Sequence, residues 1–341
     1  MTGFTVNPLL ISVLTKRELS AIPPKPSLSD LPGRYAKVIF KNLNKIKPPL
    51  ASNFTELVCK SCGKSGEYDI GMMAFNVGKG GPEKPEQIEE FIQITGYFRC
   101  SFCNSAGNWE TTNDFMLKAT SFLMMYQGGI PDHRCSFGEY RLYDGSSHRY
   151  ATDREEHLLA KLKNKEEDEF IWNRLGNLYH KGNRADLAVC AFERSIELNP
   201  MQTESLYTLG LILSEAGESE EAAHFFHRML LTAKKYTRLS PNELRDYVTS
   251  ALIELLDIAS EPDMKRSLVP PRDLADEFWD NPEEDFFKME SEIMNADIST
   301  ENFETLYPLA ELYMGPQRFG LSRKKIHQLP SKNKKKKKRK K

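Results

Sequence analysis

Apolar positions along the chain fall into three textures. Near the start, Leu9, Leu10, Val13 and Leu14 recur at near-helical spacing behind Asn7-Pro8, a cap residue followed by one suited to the first helical turn. A short helix is predicted there, ended by Ile22-Pro23-Pro24-Lys25-Pro26. A second amphipathic segment runs from about Arg34 to Lys47. It sets Tyr35, Val38, Ile39 and Leu43 against Lys37, Lys41 and Lys45, which we read as a packed helix with a solvated basic face rather than a nucleic-acid contact. Between Thr55 and Asn113 the β-branched and aromatic residues predict strands over Glu67–Phe75 and Phe91–Phe98, joined by an exposed Gly/Pro-rich loop from Gly78 to Gln87. Glu139–Tyr143 and Ser146–Ala151 read as a hairpin about Asp144-Gly145. Thr152 and Glu155 then form a capping box for a helix from Asp153 to about Lys165. From there to about Ser260 the period is helical throughout, and Ser240-Pro241 with Glu243 opens a helix to about Ile258.

Composition adds a division of charge. The 341 residues carry 47 Lys/Arg and 48 Asp/Glu, but 12 of the bases and none of the acids lie from Leu321 to Lys341, so residues 1–320 hold 35 bases against 48 acids, a net of −13. Residues 273–311 carry 13 acids against the single base Lys288, with Phe278, Trp279, Phe286 and Phe287 interleaved, either as a folded cover or as an adhesive acidic segment. No apolar run approaches a membrane span. Pro8–Leu14 is short and has no basic stretch before it, so a cytoplasmic address is expected, or a nuclear one in a nucleated host.

Four of the six cysteines form two pairs, Cys59-Lys-Ser-Cys62 and Cys100-Ser-Phe-Cys103, each followed by a residue that tolerates a left-handed backbone, Gly63 and Asn104. Two such turns supply the four thiolates that a tetrahedral, closed zinc site takes. The strands before each pair, Glu56–Val58 and Gly96–Phe98, are expected to place the turns at the tips of two hairpins. Over about residues 54–113 the chain resembles a zinc ribbon, which implies structural Zn2+ on Cys59, Cys62, Cys100 and Cys103. The 37 residues between Cys62 and Cys100 exceed the compact spacing of such modules and leave room for another β topology. The alternative is two reduced or redox-active pairs. Neither pair sits in a βαβ context, and the His-x-Glu/Pro-Cys-x-x-Cys and His-Glu-x-x-His patterns of catalytic zinc are absent. His133 and Cys135 are the remaining nearby donors and are not expected to join the site.

A period of 34 residues is the other strong signal. Trp172, Leu175-Gly176 and Tyr179, then Ala188, Phe192 and Pro200, recur as Leu206, Leu209-Gly210, Leu213, Ala222 and Phe226, with Lys234 in the proline slot. Small residues mark where two antiparallel helices cross closely and large ones fill the gaps between them. This pattern resembles the tetratricopeptide repeat over residues 169–236, in units of about 169–202 and 203–236. The resemblance implies a protein-interaction scaffold whose groove positions are Asn173, Asn177 and His180 from the first unit and Tyr207, Leu211 and Ser214 from the second. Asn177 stands where peptide-clamping members keep an asparagine, but Asn173 stands where they keep a lysine. His224 and His227, three apart on a helix, could in principle hold a metal but read as exposed helix positions, and Cys190 reads as a small hydrophobe.

The final segment offers Lys332, Lys334, Lys335, Lys336, Lys337, Lys338, Arg339, Lys340 and Lys341, which neutralise phosphates without reading sequence and predict contact with RNA, DNA or the ribosome. The competing readings are an internal contact with the acidic block and a nuclear import signal. The expected fold is α+β and multidomain: a basic N-terminal segment (1–53), a β-rich zinc-ribbon-like domain (54–151), an all-α tetratricopeptide solenoid with capping helices (152–260), an acidic helical segment (261–320) and a disordered polylysine tail (321–341). The expected function is a non-enzymatic adaptor that docks a protein or peptide. The rivals are a zinc- or thiol-dependent enzyme using the four cysteines and a structural subunit that fills its own groove. No serine-nucleophile motif or phosphate-binding glycine loop supports an enzyme.

Overall fold

The computed structural model describes residues 5–76, 85–259, 264–298 and 302–321. Most of the predicted loop 78–87, and every basic residue from Lys332 to Lys341, lies outside them. Two units make up the chain, Met1–Leu198 and Asn199–Lys341. The architecture is mixed, with a small strand-containing region early and helices thereafter.

In the first unit, helix α1 (Pro8–Thr15) starts where Asn7 Oδ1 accepts the Leu9 N–H, as the Asn-Pro signal predicts. Helix α2 is Ala36–Lys41, shorter than the segment expected; Tyr35, Ala36 and Ile39 are buried while Lys37 and Lys41 face outward. The strand region holds two three-stranded sheets. In one, β1 (Phe54–Cys59) lies between β2 (Ser65–Asp69) and β5 (Trp109–Thr111), both antiparallel to it. In the other, β3 (Met73–Phe75) lies between antiparallel β4 (Ile92–Ile94) and parallel β6 (Cys135–Phe137). Helix α3 (Asn113–Gln127) packs on β1 and β5, burying Phe115, Ala119 and Phe122. Leu57, Tyr68, Ile70, Met73, Phe75, Ile94, Phe98 and Trp109 complete this core.

Three local expectations change. The single strand 67–75 is two strands in different sheets, because Asp69 Oδ1 accepts the N–H groups of Asn53 and Gly71 and ends the ladder. The strand 91–98 stops at Ile94: the Gly96 and Tyr97 N–H groups go to Ile70 O and Gly182 O, outside any ladder. The 139–151 hairpin is reduced to one bridge, Arg141 to Ser147.

Helix α4 (Ala151–Asn164) begins two residues earlier than predicted, because Asp153, not Glu155, turns back to the N-terminal amide, that of Tyr150. Helices α5 (Glu169–Lys181) and α6 (Ala185–Leu198) form a hairpin, with Trp172, Tyr179 and Phe192 fully buried. Helix α4 packs on α5, and α2 packs on α6.

The second unit repeats the hairpin as α7 (Thr203–Ala216) and α8 (Ser219–Ala233), onto which α9 (Pro241–Ile258) packs. Ser240 and Glu243 cap α9 reciprocally, as the sequence predicts. The acidic block is folded here as α10 (Arg272–Phe278), α11 (Pro282–Asn295) and α12 (Tyr307–Met314). Helix α12 packs on α9 and α8, α10 packs on α8, and Trp279, Phe286 and Tyr313 are buried. Among the described residues no helix is long and apolar enough to cross a membrane.

Candidate metal centre and the polar hub beside it

The four predicted thiols converge. Sulfur atoms of Cys59, Cys62, Cys100 and Cys103 all lie within 4.8 Å of one another, with Cys59–Cys103 at 3.6 Å and Cys62–Cys100 at 3.7 Å. A tetrahedral zinc–thiolate shell with bonds of about 2.3 Å has sulfur–sulfur edges of about 3.8 Å. Disulfide bonds are far shorter, about 2.05 Å, and all four cysteines are free thiols. The donor set therefore fits a metal ion.

Each turn is built alike. The Gly63 N–H donates to Cys59 O and the Asn104 N–H to Cys100 O, both at 2.8 Å, while the Cys59 and Cys100 amides donate to Lys64 O and Ser105 O. Gly63 and Asn104 both take the left-handed conformation that brings each second sulfur back beside the first (φ 71° and 63°). The first turn closes the β1–β2 hairpin. The second is not a hairpin tip as expected: it follows irregular backbone and is positioned by β5, whose Trp109 stands opposite Cys59 in the ladder. Tyr68, Phe98 and Trp109 pack beneath, their ring centroids 4.7 to 5.2 Å apart.

The electrostatics are those of a cation site. Burial resists ionisation of Cys103, but the Ser105 hydroxyl, 3.1 Å from its sulfur, and the Ser105 N–H hold the thiol down at about 6. The Ser105 hydroxyl also lies 3.0 Å from the Cys59 sulfur, where it works against burial and lowers that pKa as well. The Lys64 N–H favours the Cys62 thiolate, yet desolvation and the three neighbouring sulfurs push Cys62 up to about 12. One sulfur ionises readily and the last resists, because negative charge accumulates without a counter-ion; a bound dication removes that penalty.

Cys135 is not among these ligands: it sits on β6 with its thiol 3.6 Å from Asp132 O. His227 is not exposed as expected but buried, because Nε2 finds a backbone partner in Ser267 O at 2.8 Å, and Cys190 is buried with its thiol directed to Pro32 O and Asp186 O.

The sequence reading missed a charged hub beside the second turn. Glu155 is completely buried and its carboxylate collects four donors. Oε2 accepts from Asn7 Nδ2 (2.9 Å) and pairs with Arg99 Nη1 (3.2 Å). Oε1 accepts the hydroxyls of Tyr97 (2.9 Å) and Tyr179 (2.6 Å). Burial drives its pKa up, and Arg99 with the three hydrogen-bond donors works against that rise. Arg99 also donates through Nε to Asn104 O (3.0 Å), inside the cysteine turn, while Asn104 Nδ2 holds Val6 O and Pro24 O. One signal was legible: Glu155 precedes Leu158, Leu159 and Leu162 on the same helical stripe, an acid placed on an apolar face.

The predicted groove positions lie in varied settings. Asn173 is fully buried and its Oδ1 accepts from Arg174 and from Asn177 Nδ2. Asn177 is half-buried. His180, pushed down to about 4 by burial, lines a cleft of about 280 Å³ with Ile46, Lys47, Pro49, Asp69 and Asn183. Tyr207 meets Tyr247 of α9 edge to face (5.1 Å), and its hydroxyl is pushed up to about 12 by burial. Leu211 is half-buried, and Ser214 donates to Glu254 of α9 (3.4 Å).

Compared with models of protein families, residues 171–200 match the tetratricopeptide repeat. No match was found among curated proteins or among solved structures. The matched stretch runs from the first turn of α5 to just beyond α6, so the hairpin that carries Trp172, Gly176, Tyr179 and Phe192 is similar to a tetratricopeptide repeat unit.

Proposed function

We propose that this chain is a non-enzymatic, cytoplasmic adaptor that docks a protein or peptide on its repeat helices and is stabilised by one structural Zn2+ on Cys59, Cys62, Cys100 and Cys103. The single observation that carries the docking reading is the repeat match at 171–200, since repeats of this kind present side chains of their first helices to partners. In the first unit the docking positions are Asn177 and His180 on α5, with the buried Asn173 fixing Asn177 from beneath, and in the second unit, taken by itself, they are Tyr207, Leu211 and Ser214 on α7. Alanine at both Asn177 and Tyr207 is expected to strip bound proteins from the chain in affinity purification. Retention of every partner would discard this reading.

For the metal, elemental analysis of the purified chain is expected to give one zinc per molecule, with the four thiols resisting alkylation until a chelator is added. A folded, metal-free chain whose thiols react at once would favour the rival thiol chemistry. The lysine-rich residues 332–341 supply a polyanion contact in this proposal, directed at RNA, DNA or the ribosome. Removing residues 331–341 is expected to abolish salt-sensitive nucleic-acid binding.

A second reading, a structural subunit whose repeat surface is met by its own chain, is favoured by the contacts of Tyr207 and Ser214 with α9.

A further inference from the structure

The cysteine turn and the repeat hairpin share one buried carboxylate. Arg99, next in sequence to Cys100, bridges Asn104 O within the turn and Glu155 on α4. The same carboxylate accepts the hydroxyl of Tyr179, a signature residue of the matched repeat, and the Asn7 amide at the start of α1. Tyr97 closes the ring of donors and meets Tyr179 edge to face at 5.3 Å. Two further ties run the same way: Tyr97 N–H donates to Gly182 O in the α5–α6 turn, and Asn183 Nδ2 donates to Asp69 Oδ2 at the end of β2.

Resting on the zinc reading above, we infer that occupancy of the four-cysteine site controls the order of the first repeat hairpin, with Arg99, Glu155 and Tyr179 as the linkage. The argument is one of buried charge. Arg99 and Glu155 are both buried, so neither can take water in place of its partner. Arg99 reaches Glu155 only while the turn from Cys100 to Asn104 is closed, since the Asn104 carbonyl fixes its guanidinium. The closed turn holds its two sulfurs within 4.8 Å of the other pair, and that packing of four sulfurs is stable with a cation among them. When the ion leaves and the turn opens, Glu155 is left buried without its cation partner, and the interior relieves this by letting α1, α4 and α5 loosen. Metal binding thus acts on a surface that holds no ligand atom.

Hydrogen exchange of the full chain, with zinc and after chelation, tests this. Amides of residues 8–15 and 151–181 are expected to exchange on the order of a hundredfold faster without metal, while α7–α9 change little. Linkage makes the effect reciprocal. Tyr179→Phe, which deletes one hydroxyl and leaves the four cysteines in place, is expected to weaken zinc binding by about three- to tenfold in a competition titration. Glu155→Gln, which removes the stranded charge, is expected to shrink the response of α4 and α5 to chelation. A chain that binds zinc yet shows unchanged protection of α4 and α5 after chelation, or a Tyr179→Phe variant with unaltered zinc affinity, overturns the inference. A chain that never held zinc defeats the metal reading instead, so the two failures are separable.

Discussion

Glu155→Ala is expected to destabilise the Met1–Leu198 unit by about 3–5 kcal/mol, because it leaves Arg99 as an unpaired buried cation and strips the Tyr97 and Tyr179 hydroxyls and the Asn7 amide of their acceptor. Glu155→Gln retains an acceptor oxygen and nearly the same volume, so its cost is expected to be clearly smaller. The slowest-exchanging amides of α4 and α5 report this free energy directly. An alanine variant within about 0.5 kcal/mol of the wild type would mean that water or another group replaces the carboxylate, and the hub would then contribute little to the stability of the unit.

The second large effect lies in the repeat hairpin. Phe192 is fully buried, and Phe192→Ala is expected to cost about 3–5 kcal/mol. Its ring lies so close to Gly176 that a Cβ added there would stand 2.5 Å from Phe192 Cε1, nearer than van der Waals contact allows. Gly176→Ala alone is therefore expected to destabilise by about 1–3 kcal/mol, through displacement of the ring. In the Phe192→Ala background the same change meets no ring, and the higher helix propensity of alanine is expected to stabilise by up to about 1 kcal/mol. This reversal of sign in a double-mutant cycle identifies steric contact as the cause. A Gly176→Ala penalty of equal size in both backgrounds would place the constraint elsewhere. Gly210 and Phe226 stand in the same relation in α7 and α8, with 2.9 Å from the added Cβ to the ring.

What could be read from the sequence was what local spacing encodes. Two residues between cysteines, followed by glycine or asparagine, define a left-handed turn within five positions, and Gly63 and Asn104 adopt it. Small and large residues at a 34-residue period define the helix crossings, and Gly176 against Phe192 realises one of them. Ser240, Pro241 and Glu243 define a helix start without reference to any other part of the chain. The misreadings arose where a residue had a local and a distant use. Glu155 suits a capping box with Thr152, but Asp153 serves Tyr150 instead and frees Glu155 for partners 24 to 148 residues away. Asp69 lies in a segment that reads as continuous strand, yet its side chain takes the amides of Asn53 and Gly71 and breaks it. Parallel pairing of β3 with β6 joins Met73 to Cys135, a pairing that periodicity within either segment does not reveal. Asn173 falls on a position that the repeat pattern assigns to the groove, and the structure buries it completely.

The separation of the two cysteine turns has a consequence for biosynthesis. A nascent chain presents Cys59 and Cys62 first, and 37 more residues must be translated before Cys100 follows. At bacterial or eukaryotic elongation speeds of about 5–20 residues per second, the leading thiols wait some seconds before the second pair is made. Strand β5, which sets the second turn in register, emerges later still, and Tyr179 after that. All four thiols have thus been translated before the first repeat hairpin is complete, so the order of synthesis leaves an interval in which a metal ion, on the reading proposed above, can meet its full donor set before Tyr179 arrives.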